Sequence, residues 1–153
     1  LMVKRGNPLR VYNLEQLLDP AIRFVNRDPD SGSRLLFDQL LAQHGLDHRQ
    51  INGYEQSEFT HAAVAAYVAS DMADVAFGVE AAARQFDLEF VRLVTEDYFF
   101  VCRAETLEQE PVKRMLEVMR GEEFRAAILQ LPGYIAKDMG AVRTIPEMFQ
   151  SAE

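Results

Sequence analysis

The sequence holds one cysteine in 153 residues, Cys102, so no disulfide can form within the chain. No stretch approaches the roughly 18 consecutive apolar residues that a membrane-crossing helix requires, because charge interrupts the hydrophobic runs every few positions. A basic start followed by an apolar core and a small-residue cleavage site is also missing, so nothing argues for export and a cytoplasmic location is expected. Positive charge is scarce: the formal net charge is −8, and no basic patch is interleaved with aromatics. Any contact with nucleic acid is therefore expected only through another domain. Histidine, cysteine and carboxylates do not gather at ligand spacing, so neither a metal nor a cofactor is expected.

What is present is sufficient for one ordinary domain with a core, since 48% of the residues are hydrophobic. Met2–Val3–Lys4 reads as the end of a strand, broken by a turn at Gly6–Asn7–Pro8. Asn13 caps a short helix, Leu14 to Leu18, which stops before Pro20. A strand over Ile22–Arg27 follows. From Ser33 the apolar positions Leu36, Phe37, Leu40 and Leu41 recur at helical spacing until Gly45. Asp47 to Ile51 reads as a helical turn leading to a brief strand around Tyr54, and Thr60 opens an alanine-rich helix, His61 to Ser70. The run Ala73–Val79 has the small, β-branched character of a strand covered on both faces. Glu80 to Phe86 is a helix, and Glu89 to Val94 and Tyr98 to Arg103 are strands, with Cys102 a small buried hydrophobe in the second of them. This alternation predicts an α/β layer with a largely parallel sheet flanked by helices. Glu110 to Met119 and Glu122 to Leu131 form a helical flank, and the last twenty residues read as an irregular tail.

The most informative junction is Phe24 through Gly45, a buried strand, a turn and a helix that starts on Ser31–Gly32–Ser33–Arg34. A helix start leaves backbone N–H groups without partners and carries the positive end of the macrodipole, which favours an anion there. Gly32 allows close backbone approach, Ser31 and Ser33 bring hydroxyls, and Arg34 and Arg27 bring charge. The same residues also satisfy a plainer requirement: serine is a common N-cap, and glycine closes turns. Thr60–His61 is a second hydroxyl-led helix start with the same two readings. On an acidic chain, an anion seat has to be built from local dipoles rather than from a general positive field.

The ordered phrases Gly6–Asn7–Pro8, Phe24–Val25–Asn26–Arg27, Ser31–Gly32–Ser33–Arg34–Leu35–Leu36, Gly53–Tyr54, Thr60–His61–Ala62–Ala63–Val64–Ala65, Ala73–Asp74–Val75 and Leu131–Pro132–Gly133–Tyr134 resemble the periplasmic-binding-protein-like domain of molybdate-binding regulators and of some molybdopterin-biosynthesis proteins. The resemblance runs from about Val3 to Tyr134. It implies a type 2 solute-binding fold, with two α/β lobes joined by crossing strands and a ligand in the cleft. In that family the Gly–Asn–Pro phrase follows the first lobe. Residues 1–134 are accordingly expected to be the second lobe with its returning helices, most of the first lobe missing, and 135–153 a C-terminal tail. The resemblance places Ser31, Gly32, Ser33, Arg34, Thr60, His61 and Gly78 at the cleft, with Tyr98 entering on the returning strand.

The expected function is a non-catalytic sensor that binds a small oxyanion, molybdate or tungstate by family inheritance, within a regulator or a molybdenum-cofactor-related protein. Alternatives are an accessory enzyme of that pathway, a hydrolase using Ser33 with His61 or using Cys102, and a structural assembly domain burying Tyr54, Phe59 and the tail. An exposed cleft face also predicts association, most simply a homodimer.

Overall fold

A computed structural model describes residues 1–149, which fall into two compact units, Leu1–Glu96 and the residues from Asp97 onward. The first unit is built on a five-stranded sheet. In chain order it comprises β1 (Met2–Val3), β2 (Phe24–Arg27), α1 (Gly32–Gln43), β3 (Ser57–Glu58), α2 (His61–Ala69), β4 (Val75–Ala76), α3 (Glu80–Gln85) and β5 (Glu89–Phe90). The sheet order is β3-β2-β4-β1-β5. β2 is parallel to both β3 and β4, whereas β1 is antiparallel to β4 and β5, so four strands run one way and β1 alone runs against them.

Side-chain alternation along the strands divides the core into two layers. Val3, Phe24 and Val75 face one side, where Phe37 and Leu41 of α1 cover them; Phe37 stacks on Phe24 with ring centroids 5.0 Å apart. Met2, Val25 and Ala76 face the other side, under Val64, Ala65 and Val68 of α2 and Ala82 and Ala83 of α3. The alanines let these two helices lie close to the sheet. α1 returns the chain to β3 on one side of β2, and α2 returns it to β4 on the other, so the carboxyl end of β2 is a topological switch point.

The Gly6–Asn7–Pro8 turn has a defined job. The buried Asn7 side chain donates to the Val11 carbonyl at 3.0 Å and accepts from the Val11 amide at 2.9 Å, folding the loop back on itself. Asp74 orders the start of β4: its carboxylate accepts from the Arg23 guanidinium at 2.7 and 2.9 Å and from the Arg23 amide at 2.9 Å.

Several expectations are corrected. The brief strand expected around Tyr54 lies three residues further on, at Ser57–Glu58, because Gly53 takes a φ of +93° in a turn whose backbone crosses Phe24. The segment Tyr98–Arg103 forms no strand: it sits in the second unit without a neighbouring ladder, and Cys102 is exposed rather than buried. The second unit contains α4 (Glu110–Arg120), α5 (Glu122–Leu129) and α6 (Ile145–Phe149), so part of the expected irregular tail is helical. Residues 150–153 lie outside the described part. The divide at 96 and 97 falls within the expected 1–134 domain and does not locate its end.

Candidate functional site

Both hydroxyl-led helices begin at the carboxyl edge of the sheet. Ser31 caps α1, its Oγ accepting from the Arg34 amide at 3.2 Å, and Thr60 caps α2, its Oγ1 accepting from the Ala63 amide at 3.0 Å. The two starts touch: Ser33 Oγ lies 3.3 Å from His61 Nε2. Gly78, just past β4, completes the contact, since a Cβ there would stand 2.6 Å from Met2 Cε and 3.0 Å from His61 Nδ1. Only a glycine lets the imidazole lie against that backbone. The amides of Gly32, Ser33, His61 and Ala62 have no acceptor among the described residues, as expected of the first turns of two helices.

The charge at this edge is buried. Arg27 ends β2 and donates to the Phe59 carbonyl at 2.9 Å, tying β2 to the loop before α2. Arg34 is only 7% exposed, and its guanidinium lies 4.0 Å over the Tyr54 ring, 3.3 Å from Asp38 Oδ1 and 3.4 Å from the Arg27 carbonyl oxygen. Arg34 is thus held by its own chain, and its positive charge reaches the helix mouth as a field rather than through an open contact. Burial, with the Arg27 charge second, lowers the His61 pKa to about 4, so the ring is neutral near pH 7. Its Nδ1 is buried without a hydrogen bond. A bare ring nitrogen tolerates that better than a stranded N–H, which assigns the proton to Nε2, donating to Ser33 Oγ.

The structure therefore brings together Ser31, Gly32, Ser33, Arg34, Thr60, His61 and Gly78. Tyr98 belongs to the second unit, 84% exposed on a segment without regular structure. The sequence offered Phe59 only as part of an assembly surface and gave no role to Asp38. The first offers its carbonyl to Arg27, and the second anchors Arg34 together with the Tyr54 hydroxyl, which donates to it at 2.6 Å. The four-residue spacing from Arg34 to Asp38 on a helix was the available signal. A hollow of about 210 Å³ bounded by Val3, Asn7, Val11, Asp71 and Asp74 lies at the opposite end of the strands. Its carboxylates are paired with Lys4 and Arg23, which makes it a poor seat for an anion. Among the described residues no group of three or more His, Cys, Asp or Glu is placed to hold a metal ion, and no helix is long and apolar enough to cross a membrane.

Residues 1–120 match the PBP superfamily domain, PBP_like. The chain belongs to the PBP-like family. Among its relatives, this PBP-like chain is 31% identical over 142 residues to the uncharacterized protein YvgK of Bacillus subtilis (strain 168), across 93% of its own length. It spans 46% of YvgK, less than half of that relative. It is also 30% identical over 111 residues to an uncharacterized protein of Clostridium pasteurianum named for its place in the 5′ region of a ferredoxin 2Fe-2S gene, covering 72% of this chain and 98% of that one. No solved structure matches the PBP-like chain.

Proposed function

We propose that this PBP-like domain binds a small oxyanion and acts as a non-catalytic sensor, with molybdate or tungstate the tetrahedral ligands suggested by the family resemblance. The observation that carries this reading is the meeting of two helix starts through Ser33 and His61, with four first-turn amides lacking acceptors around the contact. Because His61 Nε2–H donates to Ser33 Oγ, the Ser33 hydroxyl proton is left to point at a ligand oxygen. The donor set is neutral hydroxyl and amides backed by two buried guanidinium groups, which suits a fully deprotonated oxyanion on an otherwise acidic chain. Residues 1–134 serve as the binding domain, 135–153 as its tail. The protein works in the cytoplasm, and another domain of a longer polypeptide reads out occupancy, including any contact with DNA.

The Ser33–His61 contact is also what a hydrolase would require, and two observations favour binding instead. His61 Nδ1 has no carboxylate or carbonyl to orient the ring, and a ring with a pKa of about 4 is a weak base.

Titration with molybdate, tungstate, sulfate and phosphate, read as thermal midpoint, tests the proposal. One anion is expected to raise the midpoint selectively, by an amount equivalent to about 2.7 kcal/mol when its concentration is a hundredfold above Kd. Ser33→Ala is expected to weaken that response at least tenfold in apparent affinity, and to lower the unliganded midpoint modestly because it takes away the acceptor of His61 Nε2–H. No shift with any of the four anions overturns the reading.

A further inference from the structure

A neutral imidazole has one bare nitrogen and one N–H, and their placement fixes what a neighbouring hydroxyl can do. For His61 the two placements are unequal. Nδ1 rests against the Gly78 backbone, where a Cβ would stand 3.0 Å from it, and it meets no hydrogen-bond partner, whereas Nε2 faces Ser33 Oγ at 3.3 Å. A proton on Nδ1 would be a buried donor without an acceptor, disfavoured by roughly ten- to a hundredfold. On Nε2 the proton goes to Ser33 Oγ, so the Ser33 hydroxyl hydrogen cannot turn to the ring and is left for the helix mouth. The opposite tautomer would invert the site: Nε2 would take the Ser33 hydrogen, and the serine would offer a ligand lone pairs in place of a proton.

The oxygens around this contact are already engaged. Ser31 Oγ accepts from the Arg34 amide, Thr60 Oγ1 from the Ala63 amide, Asp28 Oδ1 from the Asp30 amide, the Phe59 carbonyl from Arg27 and the Arg27 carbonyl from Arg34. A ligand at the two helix starts therefore meets protons, from the Ser33 hydroxyl and from the amides of Gly32, Ser33, His61 and Ala62. An oxyanion with a proton of its own brings an O–H that needs an acceptor, and here that donor would face donors. We propose that His61 is the positioning residue that sorts anions at this site: packed on Gly78 and donating to Ser33 Oγ, it turns the serine toward the ligand as a donor, so the domain takes oxyanions that hold no proton near pH 7, such as molybdate, tungstate, sulfate and selenate, and rejects phosphate and arsenate, which hold one. This inference rests on the anion-binding reading and adds to it the residue that sets selectivity.

Two measurements on the full chain test it. Nitrogen NMR of the imidazole, recorded without ligand, is expected to find the hydrogen of His61 on Nε2 and Nδ1 bare; the reverse tautomer overturns the proposal whichever anion binds. Titrations near pH 7 then compare near-isosteric pairs, sulfate with phosphate and selenate with arsenate, alongside molybdate. The tightest proton-free anion is expected to bind at least about tenfold more strongly than phosphate or arsenate. His61→Gln, whose amide can turn its oxygen to Ser33 and take the hydroxyl hydrogen, is expected to narrow that gap at least about fivefold by admitting the proton-bearing anions. Equal loss for every anion is what a merely structural role would give, and it overturns the proposal, as does a wild-type chain that holds phosphate as tightly as sulfate. If His61→Gln does not fold, the wild-type tautomer and the paired anions still decide. Absence of binding by every anion fells the anion-binding reading and this inference with it, whereas an Nδ1–H ring in a chain that binds anions fells this inference alone.

Discussion

His61 is neutral in the fold because burial and the nearby Arg27 charge both oppose its protonation, holding its pKa near 4 against an ordinary 6.5. Between those two values the unfolded chain takes up a proton that the folded chain refuses. Stability therefore rises as pH increases through this window and is lost as pH falls through it. Chemical denaturation between pH 4 and 7 should show that slope, reduced in His61→Gln, and a nitrogen-detected NMR titration should find the ring uncharged down to about pH 4.

The two helices at the site owe their starts to different hydroxyls from the one offered to the ligand. Ser31 and Thr60 spend their oxygens on the amides of Arg34 and Ala63, whereas Ser33 turns to His61. Ser31→Ala and Thr60→Ala are each expected to cost about 1 kcal/mol of stability, measured by denaturant unfolding, with the anion response weakened less than by Ser33→Ala. The opposite ranking would mean that the caps, not Ser33, touch the anion. α1 also explains why the helix direction was legible: Phe37 and Leu41 stand one turn apart, and both are buried against Phe24 and its neighbours. The short strands were harder to delimit. β4 is two residues long within the seven residues Ala73–Val79, because Gly78 must bend away beneath His61 and Asp74 is tied to Arg23. Periodicity marks where a chain is buried, not where a ladder stops.

The two units differ in how completely they bury themselves. In the first, both faces of the sheet are covered and Val75, Ala76, Val64 and Phe37 reach 0% exposure. In the second, Ala136 and Gly140 are the buried residues among those described, while Val118, Leu129 and Ile135 stand more than half exposed. Such a unit gains little from hydrophobic burial by itself.

The sequence by itself determined the α/β class, the two helices that begin on Ser31 and Thr60, and the turn at Gly6–Asn7–Pro8, because each is written in neighbouring residues: apolar spacing, cap hydroxyls and an Asx side chain within reach of its own loop. Tertiary structure alone decided that Ser33 meets His61 over Gly78, that Arg34 is enclosed by Asp38 and Tyr54, and that Tyr98–Arg103 remains without a ladder. Those outcomes depend on which distant segments share a sheet edge. No local pattern of side chains fixes that choice, since a strand of good composition still needs a neighbour to donate its hydrogen bonds.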